Sequence, residues 1–235
     1  MRSDTEHTKL PKFASPKPRA RWLKLDSFVY PAGRAIYLER PRVFPKHSFT
    51  KVLLARRTRR NFYPLSNEML AALLWLAVKT RDVGVRDSKI VQQYRPAPAS
   101  GAVHAVDLLV LSRVRDRWGA FLYDPGAHAL IVLSVQRSRL SAMLHEVETN
   151  LRFGTATVLW MVGDVNRLRA RYVNEQSLIW RDAGALLATI CLAAEALGLA
   201  ACPLGGLAEP YVTRMFRGEG KILSLGGLIV GRRVR

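Results

Sequence analysis

Cysteine is almost missing from this chain. Its 235 residues include two, Cys191 and Cys202, too few for a disulfide framework or for an all-thiolate zinc site, which takes four ligands. Acidic residues are also scarce, 18 against 37 Lys and Arg, giving a formal net charge of +19 and a pI near 10.9. A chain this basic is suited to anionic ligands or partners. No long apolar run is free of charge: the longest, Ala183 to Cys202, contains Glu195 and follows Arg181 and Asp182, a poor composition for a bilayer span. The opening MRSDTEHTKLPKF has no apolar segment of the length a secretion signal needs. These absences predict a reduced, cytoplasmic protein with no metal centre and no membrane association. What is present is 49% hydrophobic residues, enough for one large domain with a real core.

The charge is uneven. Residues 1–60 carry a net +12 and half of the twelve prolines. Such a stretch buries little surface, so residues 1–22 are expected to form a basic, flexible tail ahead of a folded domain at 23–235. A tail of this kind either solubilises the chain or grips an acidic peptide or another subunit. Nucleic acid is a weaker candidate, because the basic residues lack a zinc-finger, RNP or heptad framework.

Periodicity predicts alternating elements. Ser66 caps a helix over about 67–80, and the polar stretch 81–94 reads as a loop. Strands are expected at 103–114, 120–123 and 129–132, the last two joined by the turn Asp124-Pro125-Gly126. A helix over 136–148 carries the apolar stripe Leu140, Met143, Leu144 and Val147. The segment 155–162 reads as a buried strand, 182–197 as a long apolar helix stopped by Gly198, and 224–230 as a final strand. The pattern is that of an α+β domain with a central sheet between helices.

Three segments could carry chemistry. Arg56-Arg57-Thr58-Arg59-Arg60 places four guanidiniums within five residues, tolerable only if they face solvent or a polyanion; phosphate fits best, since guanidinium offers it two parallel donors and the Thr58 hydroxyl adds another. The small-residue turn Pro98-Ala99-Ser100-Gly101-Ala102 lets a backbone approach a flat ligand. Leu204-Gly205-Gly206, after the long helix and a short strand, can present a backbone N–H to a ring nitrogen or carbonyl, although a Gly-Gly alone is more often a plain turn. His104 is best read as a hydrogen-bonded histidine at a strand start, and His145 lacks the i, i+4 partner of a zinc helix.

In this order and spacing the segments resemble the nitroreductase superfamily, and within it the SagB-type dehydrogenases of thiazole/oxazole-modified peptides. The matching pieces are RRTRRNF at Arg56–Phe62, Leu73-Leu74-Trp75, Pro98–Ala102, Tyr123-Asp124-Pro125, Asp182-Ala183-Gly184, the run Leu192–Leu199, Gly205-Gly206 and Val230–Arg233. The resemblance spans about 48–233. It implies a nitroreductase-like fold with a mostly antiparallel sheet flanked by helices, and FMN held at a homodimer interface.

Carried over by position, Arg56, Arg57, Thr58 and Arg60 would hold the phosphate, ribityl chain or polar edge of the flavin, with Arg232 or Arg233 closing from the C-terminus. Pro98, Ala99, Ser100, Gly101 and Ala102 would line it from the partner subunit. Leu204, Gly205 and Gly206 would bring a backbone N–H toward N5. A Lys-Tyr pair of the family corresponds here to Arg171-Tyr172; guanidinium is no base near neutral pH, so Tyr172 would be the base and Arg171 its electrostatic aid. Ala185 stands where the family has a histidine. The implied activity is oxidation of a modified peptide such as an azoline to an azole, with oxygen as re-oxidant and a synthetase or cyclase as partner. The alternatives are an NAD(P)H-dependent nitro or quinone reductase, and a non-catalytic scaffold subunit.

Overall fold

The structure, a computed structural model, describes residues 13–42, 44–86, 89–216 and 222–234. In chain order its elements are β1 (Lys17–Pro18), β2 (Ala32–Tyr37), α1 (Phe49–Ala55), β3 (Phe62–Tyr63), α2 (Asn67–Ala77), β4 (Asp82–Arg86) and β5 (Lys89–Tyr94). A 3-10 turn over Ser100–Ala102 leads into β6 (Val106–Val114), β7 (Arg117–Asp124), β8 (Ala129–Leu133), α3 (Arg137–Asn150) and β9 (Thr157–Asp164). The chain closes with α4 (Val165–Arg169), β10 (Tyr172–Val173), α5 (Gln176–Ala196), β11 (Leu199–Pro203) and β12 (Ile222–Arg233).

Eight strands form one antiparallel sheet in the order β11-β12-β9-β6-β7-β8-β2, with β3 pairing the end of β12. Every residue of β9 is buried, as expected for a central strand covered on both faces. One face packs Leu108, Val110, Leu159 and Leu228 against Leu73 and Leu74 of α2 and Ile179, Ala183 and Ile190 of α5. The other packs Leu109, Leu111, Val158 and Trp160 against Leu140, Met143 and Leu144 of α3, and against Val212, Met215 and Phe216. Side chains alternate between the two cores along each strand because successive residues point to opposite faces. α5 is long and apolar enough by length and composition to cross a membrane; here it is a core helix laid against α2 and β11.

Several boundaries differ from the sequence reading. The expected loop at 81–94 is a hairpin of β4 and β5; Val83 and Val85 are exposed, so no buried face marks it in the sequence. α5 begins at Gln176 instead of 182, because Leu178 and Ile179 already share its buried stripe. α2 stops at Ala77. Left-handed backbone at Gly101, Ala102 and His104 (φ 56°, 55° and 49°) delays β6 to Val106.

Of the expected basic tail, residues 1–12 lie outside the described residues. From residue 13 the chain runs along the molecule: β1 pairs with β10, Arg19 N donates to Arg171 O at 2.8 Å and Leu23 N to Ala170 O at 2.9 Å. Further on, Phe28 N donates 2.9 Å to the fully buried carboxylate of Asp164, and Tyr30 stacks edge-on against Phe28 and Phe216.

Candidate active site

The arginine-rich segment leaves α1 and crosses the end of α5. Arg59 alone turns inward. Its backbone N donates 3.1 Å to Ala201 O in β11, and its Nη2 lies 3.3 Å from both carboxylate oxygens of Glu195 in the last turn of α5. Arg233, at the end of β12, donates Nε to Leu199 O at 3.1 Å and places Nη2 2.5 Å from the same Glu195 Oε1. Among the described residues Arg59 Nε has no hydrogen-bond acceptor, while Arg233 Nη2 is held in the ion pair with Glu195. Arg56, Arg57, Thr58 and Arg60 are exposed, and among the described residues these three arginines form no ion pair. Burial raises the thiol pKa of Cys191 and Cys202, and the nearby charges of Arg56 and Arg60 respectively oppose it. Arg232 is exposed and stacks its guanidinium over Tyr63.

At the other end of β11, where Pro203 pairs with Leu228, the chain continues into Leu204-Gly205-Gly206. Leu204 N donates 2.9 Å to Gly227 O, at a bulge in β12. Ser224 accepts the indole N–H of Trp160 at 2.7 Å and donates its hydroxyl to Leu207 O at 2.5 Å, fixing the far side of the turn. Gly205 and Gly206 are exposed, and among the described residues nothing lies within 4 Å of where a Cβ would stand. A cleft of about 320 Å³ lined by Val147, Asn150, Trp160 and the two glycines lies against them.

The third group gathers at the other end of α5. Asp182 accepts from Ser100 N at 3.0 Å and Ser100 Oγ at 2.8 Å; burial raises its pKa and these hydrogen bonds oppose that. Arg171 Nη1 donates 2.5 Å to Gly101 O, and a Cβ on Gly101 would fall on the Tyr172 hydroxyl. The structure therefore brings Arg171 and Tyr172 onto the 98–102 turn. Behind it, Arg95, His104 and Asp182 line a small pocket of about 20 Å³, room for one water molecule. His104 Nε2 is 2.7 Å from Gln93 O, and burial followed by the charge of Arg95 lowers its pKa to about 4. Burial also lowers Arg95 to about 10.

Ser100 meets Asp182 and Arg59 meets Glu195, thirteen residues apart on one helix, which places the two anchoring carboxylates about 20 Å apart along its axis at 1.5 Å per residue. Within one protomer, Arg56–Arg60 and Arg232-Arg233 form one cluster and Pro98–Ala102 with Arg171-Tyr172 another; Gly205-Gly206 lie beyond the far end of β11, past Pro203, whereas Arg232 pairs with Leu199 at its start. Sequence reasoning missed Arg59, Glu195, Asp182 and Trp22 as site residues. The signal for Glu195 was present, as the sole charge in the apolar run 183–202. Nothing in the local sequence ties Trp22 to Arg171.

Comparison with known proteins gives a consistent picture. The nitroreductase family model matches residues 53–232. No protein of curated function matches the sequence. Among solved structures, a Ralstonia eutropha protein assigned as a nitroreductase superposes with a TM-score of 0.66 at 20% identity, covering 94% of this chain and 100% of its own. The E. coli microcin synthetase McbBCD, with truncated pro-MccB17 bound, gives 0.57 at 17% identity over 85% of this chain and 79% of the other. A Desulfovibrio desulfuricans protein, likewise assigned and in complex with FMN, gives 0.51 at 14% identity over 81% and 88%.

Proposed function

The chain belongs to the nitroreductase family of flavin oxidoreductases, and on that premise we propose that it is an FMN-dependent dehydrogenase of a modified peptide, working as a homodimer. The observation that carries the cofactor part is the cluster at the end of α5: three exposed arginines with no carboxylate partner among the described residues, on a segment that Arg59 anchors inward to Glu195. A dianionic phosphate supplies the acceptors that these donors lack. Arg56, Arg57, Thr58, Arg60 and Arg232 would hold it, with Arg233 already committed in part to Glu195. Gly205 and Gly206, open above, leave room for a flat ring beside the backbone after Leu204.

FMN, when bound, supplies a two-electron hydride acceptor. The chain's own contribution is then position and proton transfer. Pro98–Ala102 forms a small-residue wall that Asp182 fixes through Ser100. Tyr172 would take the proton from the substrate, with the Arg171 cation, anchored on Gly101 O, placed beside it.

The separation of the two clusters, about 20 Å along α5, fits a homodimer in which the second comes from the partner protomer. α1 buries only Val52 and exposes Phe49, Leu53 and Leu54, the last at 83%. On the adjoining α5, Trp180 is 42% exposed. This apolar face matches what a second copy would cover. The peptide substrate and a synthetase or cyclase partner in the cytoplasm rest on the SagB-type resemblance and on the microcin synthetase likeness; the basic N-terminal region complements an acidic peptide.

The deciding experiment is purification followed by an absorption spectrum, acid release of the chromophore and sedimentation. Stoichiometric FMN in a dimer, lost in Arg56→Ala/Arg60→Ala, is expected. A colourless protein that takes up no added FMN overturns the reading. Turnover of azoline peptides without NADPH separates a dehydrogenase from a nitro or quinone reductase, and unchanged complex activity in Tyr172→Phe would favour a scaffold.

A further inference from the structure

One buried carboxylate joins two arginines from distant parts of the chain, and we propose that Glu195 is the positioning residue of the phosphate loop, folding it into a binding shape before the ligand arrives. The inference rests on the FMN reading above. Four guanidiniums in five residues repel one another, and an untethered 56–60 segment would splay into solvent. Glu195 supplies the tether. Its side chain is 7% exposed, with Arg59 on both oxygens and Arg233 on Oε1. The backbone completes the clasp: Arg59 N is tied to Ala201 O, and Phe62–Tyr63 pair with Arg233–Arg232. Loop and C-terminal strand are thus locked in register around one anion.

The placement of that anion is costly on two counts. A carboxylate is disfavoured in the last turn of a helix, where the dipole is negative, and burial removes its hydration. Two guanidiniums offset both costs. Because Arg59 is drawn inward, Arg56, Arg57 and Arg60 remain on the exposed side of the loop. Glu195 cancels one of the two inward charges, so the arginine cluster can rest against β11 and β12 without the ligand. Preorganisation of this kind raises affinity by removing the ordering cost from the binding step.

The test compares FMN with riboflavin, which lacks the phosphate, by quenching of flavin fluorescence on the apoprotein. Wild type should bind FMN more tightly than riboflavin. Glu195→Gln, of equal size but neutral, should weaken FMN by about tenfold or more while riboflavin affinity stays within about twofold. Glu195→Asp should recover part of the preference. Trypsin should cut Glu195→Gln after Arg56–Arg60 faster than wild type with no flavin present. An unchanged FMN to riboflavin ratio in Glu195→Gln, with Arg56→Ala still lowering it, overturns the inference and leaves the FMN reading standing. Equal weakening of both flavins also overturns it, because that is the signature of general unfolding. Wild type that binds neither flavin overturns the reading and the inference with it. If Glu195→Gln does not fold, Arg59→Lys, which keeps the charge and loses the fork, carries the same expectations.

Discussion

The indole of Trp22 lies 4.6 Å from the guanidinium carbon of Arg171, whose Nη1 donates to Gly101 O. A residue from the N-terminal segment thus covers one side of the proposed catalytic pair. Cation–π contacts at sites this exposed contribute about 0.5–1 kcal/mol, and Trp22 is 52% exposed. Trp22→Ala should therefore lower urea-unfolding stability by about 1 kcal/mol or less, with Trp22→Phe retaining part of it. A drop of several kcal/mol would mean that the segment is a core element and not a cover. If the proposed chemistry holds, the alanine variant should lose turnover more than substrate binding, since Arg171 would be less well fixed.

Two glycines separate strain from space. Gly101 sits at φ +56°, and a Cβ there would fall on the Tyr172 hydroxyl and 3.0 Å from Arg171 Cζ, whereas at Gly205 a Cβ would meet nothing within 4 Å among the described residues. Gly101→Ala should cost about 1–3 kcal/mol, from left-handed backbone and displacement of the tyrosine. Gly205→Ala should change stability by no more than about 0.5 kcal/mol. Differential scanning calorimetry on the pair checks this; equal melting shifts would show that the tyrosine does not pack on the turn.

His104 gives the acid limb a specific shape. Burial, then Arg95, lowers its pKa from 6.5 to about 4, so the unfolded chain binds a proton in a window where the folded chain does not. Stability from this group is complete above pH 6.5 and is lost as pH falls toward 4. The contribution is at most about 3 kcal/mol. His104→Asn, which tolerates the positive φ of 49°, should flatten the stability profile between pH 4 and 6.5. A slope identical to wild type would assign that limb to carboxylates instead.

How far the sequence reaches can be seen in particular elements. β9 and α5 were legible because burial is written in their composition: β-branched and apolar residues without polar partners for the strand, and a long apolar run closed by Gly198 at φ +69° for the helix. The β4–β5 hairpin and two-residue strands such as β1, β3 and β10 were not, because backbone pairing without a buried face leaves no periodic pattern. At the site, Arg56–Arg60 and Pro98–Ala102 stood out by residue type. Their partners Glu195, Asp182 and Trp22 lie 136, 82 and, for Trp22 to Arg171, 149 positions away. Such contacts follow from topology, which one sequence does not encode locally.

Asp164 offers the sharpest test of how the N-terminal segment is held. Its carboxylate, fully buried, accepts from Phe28 N at 2.9 Å, Asn166 N at 3.0 Å and Arg167 Nε at 3.2 Å. Arg167 continues to Asp107 through both terminal nitrogens and to His104 O at 3.2 Å. One carboxylate therefore ties residues 26–30, the start of α4 and, through Arg167, β6 into a single network, and α4 leads directly to Arg171 and Tyr172. Asp164→Asn keeps the shape but removes the charge and turns an amide donor toward donors. The expected loss is about 3–5 kcal/mol, as for a broken buried ion pair. Arg167→Met should cost a similar amount by leaving two carboxylates unpaired. Because both variants break the same network, the double variant should be less destabilised than the sum of the singles by at least about 1 kcal/mol. Strict additivity in urea titrations would show that Asp164 holds Phe28 N alone, and that α4 is anchored independently of the N-terminal segment.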